Sequence, residues 1–131
     1  MDDGARPAEA LRRRLADDLR AAMKARDAVA VATLRALLSA IDNAGAVTET
    51  KAHVPVVGLS GDVPRRELTR ADLARVLAAE AAEREAAARD YEQRGLQEAA
   101  ERLRAELAII MAVQDSTRQI DKKAFQVVRV A

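Results

Sequence analysis

The sequence predicts an all-α protein: a four-helix bundle-like domain of two helical hairpins joined by a long loop, with a short C-terminal tail. Three observations predict it. Alanine, the best helix former, supplies 31 of the 131 residues. Aromatic residues are nearly absent, with Tyr91 and Phe125 alone and no Trp, whereas a sandwich or barrel spends more β-branched and aromatic side chains. Leucines and other apolar residues recur at three- and four-residue spacing, which is the helical period.

The elements follow in order. Pro7 fits the first turn of a helix, where its missing N–H is not needed. Leu11, Leu15, Leu19 and Met23 then recur every four residues, widened by Ala8, Ala16 and Ala22, and predict helix one over 8–25. After a break near Arg26, Asp27 is placed to N-cap helix two. Val29, Leu34, Leu37, Leu38 and Ile41 form its apolar face over 28–44, and Gly45 stands where a C-terminal glycine belongs. The short break makes helices one and two antiparallel neighbours.

Residues 46–68 lose the helical period and hold Pro55, Pro64, Gly58, Gly61 and the single histidine, His53. Such a density of Pro and Gly predicts a loop, with Val54–Leu59 as a possible short extended piece. Thr69 opens helix three with a capping box in which Asp72 replaces the usual Glu or Gln. Leu73, Val76, Leu77, Ala81 and Ala88 line one face. Glu80–Arg84 and Glu85–Arg89 are spaced for ion pairs one turn apart. Gly95 ends the helix. Leu96, Ala100, Leu103, Leu107, Ile110 and Met111 mark helix four, expected to end near Gln114, where Asp115-Ser116-Thr117 offers turn chemistry. The β-branched content of Phe125–Val130 favours an extended tail. The expected organisation is a helical domain over 1–114 and a tail over 115–131.

Composition narrows the function classes. A third of the residues are charged, yet the net charge is +1, a mixed surface and not the footprint of a strong polyanion binder. With no cysteine, thiol catalysis, disulfides and Cys-ligated metals are excluded. One histidine cannot build a His-rich metal centre. No apolar run opens the chain as a secretory signal would, and no stretch is read as a membrane span of about 20 apolar residues. The expected compartment is the cytoplasm, without membrane, metal or cofactor.

Basic residues concentrate on helix one and the start of helix two. Arg13, Arg20 and Lys24 fall near one helical face, with Arg26 and Arg35 beyond them. A row of cations can follow a phosphate backbone. Against this, Asp17, Asp18 and Asp27 are interleaved, and residues 1–45 hold eight basic and seven acidic groups. The favoured reading is a solvated helix face. Arg35 is read first as a partly buried residue whose head pairs with Asp18 or Asp27, and second as an anion contact. Glu80, Glu83, Glu101 and Glu106 lack the histidines of a carboxylate metal bundle, so paired surface charges are the favoured account. His53 has no Cys partner and no Ser-His-Asp arrangement around it. Gly58 and Gly61 match no phosphate-loop or dinucleotide fingerprint.

The stretch Ala22-Met23-Lys24-Ala25-Arg26-Asp27 resembles the A-M-K-x-[KR]-D segment of the YqeY-like family. Leu34-Arg35 is similar to its L-R pair, and Arg66-Glu67-Leu68-Thr69 resembles the lead-in to its third helix. Glu80, Arg84, Tyr91, Gly95 and Glu106-Leu107 fall where the family pattern expects them. The resemblance covers roughly residues 10–110. It implies kinship with the tail domain of the GatB subunit of tRNA-dependent amidotransferases. The family's second helical domain, the part most like the tRNA-contacting tail, is expected to be absent.

Three functional expectations result. The first is an accessory or adaptor domain without catalysis of its own, associated with tRNA or with a tRNA-amidating or aminoacylating protein; Arg13, Arg20, Lys24, Arg26 and Arg35 are its candidate nucleic-acid contacts. The second is a helical protein-interaction module without a nucleic-acid role, whose ligand is another helical protein or a second copy of the chain. The third, implied by the family label, is a part of a carbon–nitrogen ligase assembly with glutamine as amide donor.

Overall fold

A computed structural model describes the backbone of residues 6–52 and 67–130, and the side chains of 6–46, 67–120 and Lys122. It contains four helices and, among the described residues, no strand: α1 (Pro7–Ala25), α2 (Ala28–Ala52), α3 (Arg70–Gln93) and α4 (Gln97–Val130). Two compact units divide inside α3, Met1–Val76 and Leu77–Ala131. His53 and the expected extended piece Val54–Leu59 lie outside the described residues.

In the first unit α1 and α2 pack as an antiparallel hairpin. Pro7 occupies the first turn of α1. The helix ends with Arg26 in the left-handed region, φ 57° and ψ 39°. There the Arg26 N–H donates to the Met23 carbonyl at 3.2 Å and the Asp27 N–H to the Ala22 carbonyl at 3.0 Å, the two bonds of a Schellman C-cap. Asp27 then caps α2, its carboxylate accepting from the Ala30 N–H at 3.1 Å. Residues 12 and 42 are equally far along the chain from Asp27, and Arg12 Nε donates to Asp42 Oδ1 at 2.9 Å. That bond ties the far ends of the hairpin.

The buried stripe of α1 is Leu11, Leu15 and Ala22, whereas Met23 is 51% exposed. A strict four-residue repeat drifts around a helix of 3.6 residues per turn, by roughly 40° per step. From Leu11 it reaches Met23 roughly 120° off the core direction, while Ala22 returns to within roughly 20°. The core face of α2 is Thr33, Leu34, Leu37 and Ile41. Thr33 is tolerated there because its hydroxyl donates to the Val29 carbonyl at 2.8 Å, leaving no buried polar group unpaired.

Three expectations about element ends are corrected. Gly45 does not stop α2, which continues to Ala52; it is buried within the helix and lacks the positive φ of a C-cap glycine. A mid-helix glycine costs about 1 kcal/mol against alanine, which flanking helix formers can outweigh. Asp115-Ser116-Thr117 does not end α4. The Thr117 hydroxyl bonds back to the Val113 carbonyl at 2.9 Å and Arg118 pairs with Asp115 at 3.2 Å, so these polar groups are satisfied without leaving the helix. The expected strand at Phe125–Val130 is helical as well. A strand needs a neighbour to pair its backbone, whereas a helix satisfies its own.

Ala28–Ala46 is, by length and composition alone, apolar enough to cross a membrane, contrary to the expectation that no stretch is. Its Leu34, Leu37 and Ile41 are buried within the protein, and 28% of the span is buried in all.

Thr69 and Asp72 form the expected capping box. The Asp72 N–H donates to the Thr69 hydroxyl at 3.0 Å, and the Thr69 N–H donates to the Asp72 carboxylate at 2.9 Å. Leu68 and Leu73, at the flanking positions of a hydrophobic staple, are both buried. In the second unit α3 and α4 form another hairpin about Gly95, whose φ is 75°. The Leu96 N–H donates to the Tyr91 carbonyl at 2.9 Å and the Gly95 N–H to that of Glu92 at 3.1 Å. The buried residues there are Leu77, Ala88, Ala100, Leu107, Ile110 and Val113. Leu96 and Met111, expected on the core stripe, are about half exposed. Leu96 precedes the helix, and Met111 is turned roughly 100° from Ile110.

Candidate nucleic-acid interface

Side chains 13, 20 and 24 lie within an arc of roughly 40° around α1 and point away from the Leu11–Leu15–Ala22 face. All three are exposed. They do not carry equal freedom. Arg20 is paired with Asp17 one turn earlier. Arg14, beside the row, approaches Asp18 at 3.8 Å. Lys24, in the last turn of α1, and Arg26, at the turn, make no side-chain hydrogen bond or ion pair among the described residues. The carbonyl end of α1 favours a cation at Lys24.

Arg35 departs from its favoured reading. It is exposed and pairs with neither Asp18 nor Asp27, because Asp18 faces Arg14 and Asp27 is engaged as a helix cap. The cause is rotational: Leu34, Leu37 and Ile41 set the buried direction of α2, and Arg35 is roughly 100° past Leu34.

The second unit holds a denser charge network, only part of which is visible from local spacing. Glu80–Arg84 at 2.6 Å and Glu85–Arg89 at 3.0 Å are the expected pairs. Two cross-helix clamps were not expected. Arg84 Nε also donates to Glu106 at 3.3 Å, and the Arg84, Glu80 and Glu106 side chains are only 14%, 20% and 17% exposed. Arg104 donates through Nε and Nη2 to both oxygens of Glu92, at 3.2 and 2.9 Å, and through Nη1 to Glu85. Residues 84 and 106 are equally far from Gly95 along the chain. That equidistance, read with the glycine as the hairpin centre, is the signal that could have found the pair. Glu83 and Glu101 are exposed, and among the described residues no three metal-capable side chains gather.

The electrostatics follow the geometry. Burial opposes the Arg84 charge, but hydrogen bonds and attraction from Glu80 and Glu106 outweigh it and raise the guanidinium pKa. Hydrogen bonds from Arg104 hold the Glu85 and Glu92 carboxyls below the ordinary value of 4.5. The same bonds, from Glu92 and then Glu85, raise the pKa of Arg104. A depressed folded-state carboxyl pKa contributes stability above the unfolded value, lost as pH falls through the folded value. The acid limb of stability below about pH 4.5 is therefore expected to be steeper in the native sequence than in Arg104→Gln. Urea midpoints at pH 3, 4 and 7 check this; parallel curves would remove the clamp from the account.

The described residues define an all-helical protein of two antiparallel hairpins. The first presents a basic outer face, and the second is cross-linked by Arg–Glu clamps. This chain belongs to the YqeY-like family: the family description "Yqey-like protein" matches residues 12–117, from within α1 to past the middle of α4. No curated protein and no solved structure matches it.

Proposed function

We propose that this chain is an accessory domain that attaches to tRNA, or to a tRNA-amidating or aminoacylating protein acting on it, through the α1–α2 hairpin. The carrying observation is the outward row of Arg13, Arg20 and Lys24 on α1, followed by Arg26, which has no side-chain partner among the described residues. Membership of the YqeY-like family supports the same direction to the extent that the resemblance to an amidotransferase tail domain, read from the sequence, holds for this chain. The chemistry of amidation belongs, on this reading, to the partner in a carbon–nitrogen ligase assembly, and this chain supplies attachment in the cytoplasm. A chain without cysteine and with one histidine is poorly equipped to activate glutamine itself.

Fluorescence anisotropy with bulk tRNA at low salt tests the proposal. Binding is expected, weakening with salt as counterion release requires. The double substitution Arg20→Glu with Lys24→Glu is expected to weaken it by about tenfold or more, since two phosphate contacts turn repulsive. No binding at low salt, or binding indifferent to the double substitution, overturns it.

A second reading, a helical protein-interaction module, is favoured by one observation. On α4, Ile120 is 57% exposed, and an exposed apolar side chain on a helix suits a partner helix. Sedimentation equilibrium distinguishes it: self-association abolished by Ile120→Lys supports the second reading, and a monomer at all concentrations counts against self-association.

A further inference from the structure

The two hairpin turns are built from the same hydrogen bonds but not from the same residue. At the α3–α4 turn the left-handed position is Gly95, φ 75°. At the α1–α2 turn the equivalent position is Arg26, φ 57°. Both turns close with the same pair of bonds, a six-residue and a four-residue ring, at 2.9 and 3.1 Å in one and 3.0 and 3.2 Å in the other. A residue with a Cβ in this region carries a backbone penalty that glycine avoids.

The two cap bonds hold the turn, but no contact of the Arg26 side chain among the described residues offsets its extra penalty over glycine. The Arg26 side chain is exposed and makes no hydrogen bond or ion pair among the described residues. The neighbouring carboxylate, Asp27, is committed to the Ala30 N–H at 3.1 Å. The helix dipole does not explain it either. Lys24 already supplies a cation in the last turn of α1, and Arg26 stands equally close to the start of α2, where the dipole disfavours positive charge. Strained backbone that local contacts do not repay is characteristic of positions kept for what the side chain does.

We propose that the α1–α2 turn is the phosphate-contact point of this hairpin. In it Arg26 accepts a strained backbone so that its guanidinium can grip a phosphodiester group of bound tRNA, with Lys24 supplying a second cation at the end of α1. This rests on the tRNA reading above and adds where the contact falls. A guanidinium fork suits phosphate oxygens geometrically, and an ammonium two residues earlier in the chain adds a point charge. Arg20, engaged by Asp17, contributes less.

The proposal predicts opposite signs for stability and binding at one position. Arg26→Gly is expected to raise the Tm by about 3–6 °C, because the left-handed residue loses its Cβ penalty. The same variant is expected to bind bulk tRNA about two- to fivefold more weakly. The slope of log affinity against log salt should fall in magnitude by about one, the loss of a single phosphate contact. Arg26→Asn, which tolerates the left-handed region, should behave like glycine. Arg26→Lys, which keeps both charge and strain, should keep the native Tm and slope. If wild type binds tRNA and Arg26→Gly binds with unchanged affinity and slope, this inference fails while the tRNA reading stands. If wild type binds no tRNA at low salt, both fail. An Arg26→Gly variant no more stable than wild type would remove the strain argument.

Discussion

Leu15→Ala is expected to lower the unfolding free energy by about 3 kcal/mol, the middle of the range for a fully buried leucine truncated to alanine. Leu15 is completely buried at the centre of the α1 stripe, so the deletion removes apolar contact and leaves a void that neighbouring side chains fill only in part. Met23→Ala, two turns on in the same helix, is expected to change stability by less than about 0.5 kcal/mol, as surface substitutions do. Met23 is half exposed, and alanine recovers some helix propensity. Urea unfolding followed by circular dichroism measures both, with the midpoint shifting and the slope unchanged if the change is one of stability alone. Equal losses at the two positions would contradict the stripe that places Ala22, and not Met23, over the core.

The second large effect is expected at Arg84. Its guanidinium lies between Glu80 at 2.6 Å and Glu106 at 3.3 Å, with all three side chains mostly withdrawn from water. Arg84→Ala leaves two carboxylates without their shared cation in a partly desolvated place. Removing one partner of a buried ion pair costs about 3–5 kcal/mol. Since these groups keep some access to water, about 2–3 kcal/mol is expected here. Arg89→Ala breaks a pair in which Arg89 is 71% exposed and should cost at most about 0.5 kcal/mol. A double-mutant cycle of Arg84→Ala with Glu106→Ala isolates the cross-helix term, expected at about 1 kcal/mol or more. If Arg84→Ala costs no more than Arg89→Ala, the triad is a surface decoration.

These two positions also separate kinds of knowledge. Leu11 and Leu15 were legible as core from spacing alone, because the helical period is a property of the chain. Met23 was misplaced by following a four-residue repeat past the point where 3.6 residues per turn turns it away. Glu80 beside Arg84 was legible because both lie on one helix one turn apart. Glu106 was not, since its meeting with Arg84 depends on how α4 folds back on α3. In the candidate interface, residue types and the common face of Arg13, Arg20 and Lys24 were legible. Which cations are occupied by neighbouring aspartates was not, because each aspartate had several arginines within reach.

The sequence by itself determined what depends on neighbours along the chain. That includes the helical class, the capping box at Thr69 and Asp72, the Asp27 cap, the breaks near Arg26 and Gly95, and the membership-bearing stretch Ala22–Asp27. Tertiary structure decided the rest. It carried α2 through Gly45 and α4 through Thr117, because breaking signals worth about 1 kcal/mol yield to a helix that goes on satisfying its own backbone. It brought Arg12 to Asp42 and Arg104 to Glu85 and Glu92, because the register of a hairpin fixes which distant residues stand level. It also placed Arg26 in the left-handed region at the α1–α2 turn, where closing the two bonds of the cap outweighed the ordinary backbone preference of an arginine.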